Sequence, residues 1–86
     1  MSKRQKLLAE IKNNPKNVRL EDLLKLMKDY EFSYRKTADA YYFYHEKLKN
    51  EPNIPRVAIP HGGENKVKKF YVLICLDAIE ILESLE

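Results

Sequence analysis

Residues 41–45 read Tyr-Tyr-Phe-Tyr-His, five ring side chains in unbroken succession. Aromatic residues favour extended backbone, and successive side chains of a strand point to opposite sides. A strand over 41–47 therefore sends Tyr42 and Tyr44 one way and Tyr41, Phe43 and His45 the other. One set has to pack beneath helices. The other stays on an open sheet face, together with some of Arg35, Lys36 and Arg56. The run thus demands a sheet with one covered face, in a chain of only 86 residues. Such a chain hides about 60% of its unfolded surface. It holds one domain with one modest core, and large two-layer enzymes are excluded.

The flanking segments supply the helices. Residues 3–13 form a short helical segment with Leu7, Leu8 and Ile11 on one side, stopped by Asn13-Asn14-Pro15 because proline lacks the amide hydrogen. Residues 1–14 read as a helical extension and 15–86 as the core of a single domain. The next helix has Asn17 as its cap and Glu21 and Asp22 near its positive end. Its apolar stripe is Leu20, Leu23, Leu24, Met27 and Tyr30. Two strands follow, 32–36 and 41–47, separated by Ala38, Asp39 and Ala40. A third fits 55–59, and Pro52, Pro55 and Pro60 around it predict a short or edge strand. The loop 48–53 is long for a tight hairpin and should project. His61-Gly62-Gly63-Glu64-Asn65 is a turn. The longest helix comes last, with Val67, Phe70, Tyr71, Ile74, Ala78, Ile81, Leu82 and Leu85 on one stripe. Val72, Leu76 and Ile79 lie off it and are also apolar, so this helix meets either a wide buried face or a second surface such as another copy of the chain. The predicted class is α+β: a three-stranded antiparallel sheet with helices packed on one face, plus the short N-terminal helix.

Charge is spread unevenly. The net charge is +3, but residues 1–19 carry six basic groups against one acid, and residues 70–86 carry four acids and no base. One face thus suits an anion such as nucleic acid. Lys66, Lys68 and Lys69 crowd the positive end of the last helix, while Glu80, Glu83 and Glu86 crowd its negative end. Both placements oppose the helix dipole, by a few tenths to about 1 kcal/mol per exposed group. Three lysines beside exposed amides make a phosphate site; the alternative is a set of solvated, screened charges.

Other chemistries have little support. His45 and His61 are the only histidines, and neither has metal-ligand spacing. No Gly-rich phosphate loop is present, and Ser33 and Ser84 have no base nearby in sequence. The single cysteine, Cys75, lies within Val72-Leu73-Ile74-Cys75-Leu76 and reads as a small buried hydrophobe. There is no apolar leader, and Asp77 interrupts the longest apolar run well short of the ~18 residues of a membrane span. The expected compartment is the reducing cytoplasm, with no cofactor and no metal.

Four stretches resemble the HicA family of toxin–antitoxin proteins. They are Asn14-Pro-Lys-Asn-Val-Arg-Leu-Glu-Asp-Leu-Leu-Lys-Leu-Met27, Phe32-Ser-Tyr-Arg-Lys-Thr37, Val57-Ala-Ile-Pro-His-Gly-Gly63 and Val67-Lys-Lys-Phe-Tyr-Val72. Their order and spacing carry the resemblance over about residues 14–82. It implies a double-stranded-RNA-binding-like fold, metal-independent cleavage of messenger RNA, and a HicB-like antitoxin covering the active site. The family's catalytic Gly-Ser-His motif, opening the second strand, is absent here. Counting from Arg35-Lys36-Thr37 places it on Asp39-Ala40-Tyr41; counting back from His45 moves the histidine position to Ala40. The chain also has Glu31 where the family favours a capping glycine, and Lys69 where it favours proline.

A histidine titrates near about 6.5 and a tyrosine near about 10, so Tyr41 in the histidine position makes a poor base. His45 lies roughly 13 Å along the strand from Tyr41 at ~3.3 Å per residue. The expectation is an RNA-binding domain with lost or reduced cleavage, taking single-stranded or messenger RNA through Arg35, Lys36, His61, Lys66, Lys68 and Lys69. Two alternatives stand beside it: an active ribonuclease using Tyr41 or His61, and a protein-interaction module without an RNA role.

Overall fold

The aromatic run becomes the central strand of the sheet. In the computed structural model, which describes residues 3–50, 55–60 and 65–85, β2 (Ser33–Lys36), β3 (Ala40–Tyr44) and β4 (Arg56–Ala58) form an antiparallel sheet in that order. The short strand bounded by Pro55 and Pro60 lies at an edge, as its prolines require. The strand over the ring run is shorter than predicted. It ends at Tyr44, and Glu46–Leu48 form a 3₁₀ turn capped by His45, whose Nδ1 accepts from the Lys47 amide at 3.0 Å. The capping bond competes with sheet pairing and takes His45 out of the strand. Residues 51–54 of the predicted projecting loop, and 61–64 of the predicted turn, lie outside the described residues.

Helix α1 (Lys3–Asn13) ends just before Pro15 as expected, with Leu8 and Ile11 buried. The next helix, α2 (Leu20–Asp29), begins two residues later than an Asn17 cap would give. Val18–Arg19 are instead extended as β1, pairing antiparallel with β5 (Lys66–Val67). Arg19 occupies the cap position without a side-chain cap bond, and the Leu20 amide donates to the Asn65 carbonyl at 2.6 Å. Two-residue strands have too few positions for a period-2 pattern, so this ribbon left no signal in the sequence. Along α2, Leu23, Leu26 and Met27 are buried, whereas Leu20 and Leu24 are only half-buried. The Arg4 guanidinium lies 4.7 Å from the centroid of the Tyr30 ring and ties α1 to the end of α2.

The exit from α2 is tightly specified. The Glu31 amide donates to Lys28 and the Phe32 amide to Met27, at 2.9 and 3.0 Å. These are the two bonds of a Schellman cap, and the buried Phe32 and Met27 are its apolar pair. The cap forces Glu31 to φ 67°, a left-handed conformation that costs a residue with a Cβ about 1–2 kcal/mol. It is the position where glycine would be favoured.

The last helix, α3 (Lys69–Leu85), is buried through Val72, Cys75, Leu76, Ala78, Ile79 and Leu82. The predicted stripe divides. Its Ala78 and Leu82 are buried and its Phe70, Ile74, Ile81 and Leu85 are exposed, while Val72, Leu76 and Ile79, which lie off it, are buried. Both faces of this helix are apolar, so periodicity alone could not choose between them. The core joins α3 to Leu23, Leu26 and Met27 of α2 and to Tyr41, Phe43 and Val57 of the sheet.

Glu31→Gly is expected to raise the unfolding free energy by about 1 kcal/mol, read from urea denaturation, because glycine removes the left-handed penalty. Cys75 gives a second prediction. Burial pushes its thiol up from 9.0 to about 12. The unfolded chain ionises first, so the thiol's contribution to stability is complete below pH 9 and is lost as pH rises from 9 toward 12. The stability difference between the native chain and Cys75→Ala should narrow over that window.

A candidate nucleic-acid interface

Strand register assembles the most suggestive surface. Arg35 lies opposite Tyr42, and Tyr42 lies opposite Arg56. Residues directly opposite one another share a face, so Arg35, Tyr42 and Arg56 form a row across all three strands. Ser33 and Tyr44, the next pair, stand beside it. Arg35, Tyr44 and Arg56 are exposed and Tyr42 is half-buried. Tyr42 carries Arg56: the guanidinium carbon lies 6.0 Å from the ring centroid. Hydrogen bonding to Tyr42, with a smaller contribution from Tyr71, raises the Arg56 pKa above its ordinary value. Arg56 is therefore a permanent cation held between the sheet and the first turn of α3.

The opposite face holds Tyr34, Lys36, Tyr41, Phe43 and Val57. Arg35 and Lys36, nominated together, thus point to opposite sides. Lys36 Nζ lies 5.8 Å from the centroid of the Tyr41 ring, and Tyr34 meets that ring edge-on at 5.4 Å. Tyr41, which the resemblance would set in the histidine position, is 8% exposed and part of the core; Ala40 is fully buried. The β2–β3 turn before them is organised by Thr37. Its hydroxyl donates to the Ala40 carbonyl at 3.1 Å and accepts from the amides of Asp39 and Ala40 at 3.3 and 3.1 Å. His45 is buried with its ring edge-on to Phe32 at 5.0 Å. Because Nδ1 accepts the Lys47 amide, the neutral ring carries its proton on Nε2.

Ser33, Tyr44 and Arg56 also open onto a cleft of about 990 Å³. Its far wall is the exposed side of α3, with Phe70, Ile74 and Ile81, and Glu46 and Lys49 lie at the 3₁₀ turn. The helix side of the cleft is mostly apolar but includes Asp77, and its cations, Arg56 and Lys49, stand on the strand and loop side. Lys66, Lys68 and Lys69 are all exposed, and Lys69 opens α3, which has no acid in its first turn and no base in its last. Tyr71, two residues on, meets Arg56, so the lysine-bearing turn adjoins the sheet row. His61 lies outside the described residues. Among those residues no group of His, Cys, Asp and Glu could hold a metal ion, and no helix is long and apolar enough to cross a membrane. Sequence parity placed Tyr42 and Tyr44 together; only the register showed which arginines join them.

The chain matches no protein-family model, no curated protein and no solved structure in the comparisons made with each.

Thr37→Val is expected to lower stability by about 1–3 kcal/mol, since it removes an acceptor from two amides of the turn. Chemical denaturation measures the loss, and amide exchange at Asp39 and Ala40 should accelerate.

Proposed function

We propose that this chain is a HicA-like toxin-family domain that binds single-stranded RNA and has lost most of its power to cleave it. The observation that carries the proposal is the Arg35–Tyr42–Arg56 row with Tyr44 beside it. Cations and ring faces on one surface are what unpaired RNA requires: arginines take the backbone, and tyrosines stack on bases. Lys68 and Lys69 extend the positive surface past Arg56. The order α2–β2–β3–β4–α3 agrees with the one that the resemblance implies, and the family-like stretches include most of α2, all of β2, the end of β4 and the start of α3. In this reading the domain works in the cytoplasm and a HicB-like antitoxin is its protein partner.

The reading of reduced cleavage rests on the groups at the motif positions. Cleavage through a 2′-hydroxyl needs a proton acceptor that works near neutral pH. Ala40 has no such group, and Tyr41 is a phenol set in the core. His45 has its Nδ1 lone pair engaged by a backbone amide.

Fluorescence anisotropy with a labelled single-stranded RNA tests the binding. Affinity should fall steeply with salt. Tyr44→Ala should weaken it by about 1–3 kcal/mol, and Arg35→Ala and Arg56→Ala should each flatten the salt slope by roughly 0.7. The same RNA should stay intact with or without a chelator. Salt-independent binding would remove the RNA role, and chelator-resistant cleavage by the native chain would overturn the inactive reading.

A further inference from the structure

The exposed side of α3 carries a second apolar stripe. Phe70, Leu73, Ile74, Ile81 and Leu85 are 54, 44, 43, 36 and 56% exposed, on a helix whose opposite side already fills the core; Leu73 lies beside the line of the other four. Four large apolar side chains in line on one helix need a cover. The stripe has an internal symmetry. Phe70 and Leu85 lie equally far from the midpoint between Asp77 and Ala78, and so do Ile74 and Ile81. Turned end over end, the helix presents the same stripe to itself.

The charges have the matching asymmetry. Lys66, Lys68 and Lys69 lie at the start of the helix, Glu80 and Glu83 lie toward its end, and all five are exposed. Within one chain they oppose the helix dipole at both ends. In an antiparallel pair, each lysine-bearing start lies toward the acidic end of the other helix, where Glu80 flanks the stripe and Glu83 turns away from it, and the two dipoles align favourably. A parallel pair would set lysine against lysine and glutamate against glutamate.

We propose that a second copy of this chain covers the stripe, with the two α3 helices packed antiparallel about a two-fold axis near Asp77. Such an interface is isologous: Phe70 of one copy meets Leu85 of the other, and Ile74 meets Ile81. Asp77 is the one discordant residue. Two copies bring their Asp77 side chains together near the axis, which limits affinity and makes the dimer respond to that charge. The proposal rests on the stripe and the charge order and not on the RNA reading, but Phe70, Ile74 and Ile81 also wall the cleft onto which Tyr44 and Arg56 open, so a dimer narrows access to that cleft.

Sedimentation equilibrium of the full chain over a wide concentration range is the test, paired with cysteine cross-linking. The expected result is a monomer–dimer equilibrium that weakens as salt is raised. Ile74→Glu and Ile81→Glu, both at exposed positions, should leave the circular dichroism unchanged and abolish the dimer. Asp77→Asn should tighten it roughly two- to fivefold, the scale of an exposed charge pair. Under oxidation, chains with Phe70→Cys should cross-link to chains with Leu85→Cys and not to themselves, because like positions are about 22 Å apart along the pair at ~1.5 Å per residue. A monomer at every concentration overturns the proposal, leaving the stripe to another protein. A dimer indifferent to Ile74→Glu and Ile81→Glu overturns it too, as does self-linking of Phe70→Cys.

Discussion

The pairing of β3 on both edges governs what the rest of the molecule can be. Its side chains alternate, so its register decides which rings are core and which are surface. Tyr41 and Phe43 meet Val57 and the helices; Tyr42 and Tyr44 look out beside Arg35 and Arg56. A slip of one residue would exchange the two sets, exposing Phe43 and burying the arginine row. That penalty is large because Phe43 and Val57 are both fully buried. The register is held at one end by the Thr37 hydroxyl, which satisfies the turn into β3. At the other end the His45 cap stops the strand after Tyr44. The surface proposed to meet RNA is therefore the outer side of the same constraint that builds the core.

Local strain is concentrated where the chain must reverse. The Schellman cap delivers Phe32 into the core and starts β2 at the right place, and Glu31 bears its cost. At the other boundary of α2, no side chain caps the helix; the Leu20 amide is satisfied by Asn65, next to β5. The β1–β5 pairing thus ties the start of α2 to the start of α3. It also fixes where Lys66, Lys68 and Lys69 stand relative to Arg56, so a two-residue ribbon positions much of the basic surface.

Much of this was legible in residue patterns. The end of α1 before Pro15, the edge character of β4, the burial of Cys75 and the parity of the rings follow from local chemistry. The errors have a common origin. Asn17 looked like a cap because Asn is a good one, but pairing of Val18–Arg19 with a segment nearly fifty residues away took precedence. The stripe read along α3 divides, with Ala78 and Leu82 in the core and Phe70, Ile74, Ile81 and Leu85 exposed, because a helix apolar all round has no unique inward face. The motif positions were read as a strand, with Tyr41 in the place of a histidine; that Tyr41 lies in the core was not legible there.

By itself the sequence determined the order of the three helices and the three strands of the main sheet, because proline, ring alternation and helical spacing act over a few residues. It also places no histidine at Asp39-Ala40-Tyr41, where the resemblance to the HicA family would set one. Only the tertiary structure decided which side of α3 is covered, which arginines flank Tyr42, and that Arg35 and Lys36 part company. Those outcomes depend on contacts between distant segments. Their energies come from burying one arrangement of surfaces rather than another, and no local propensity encodes that choice.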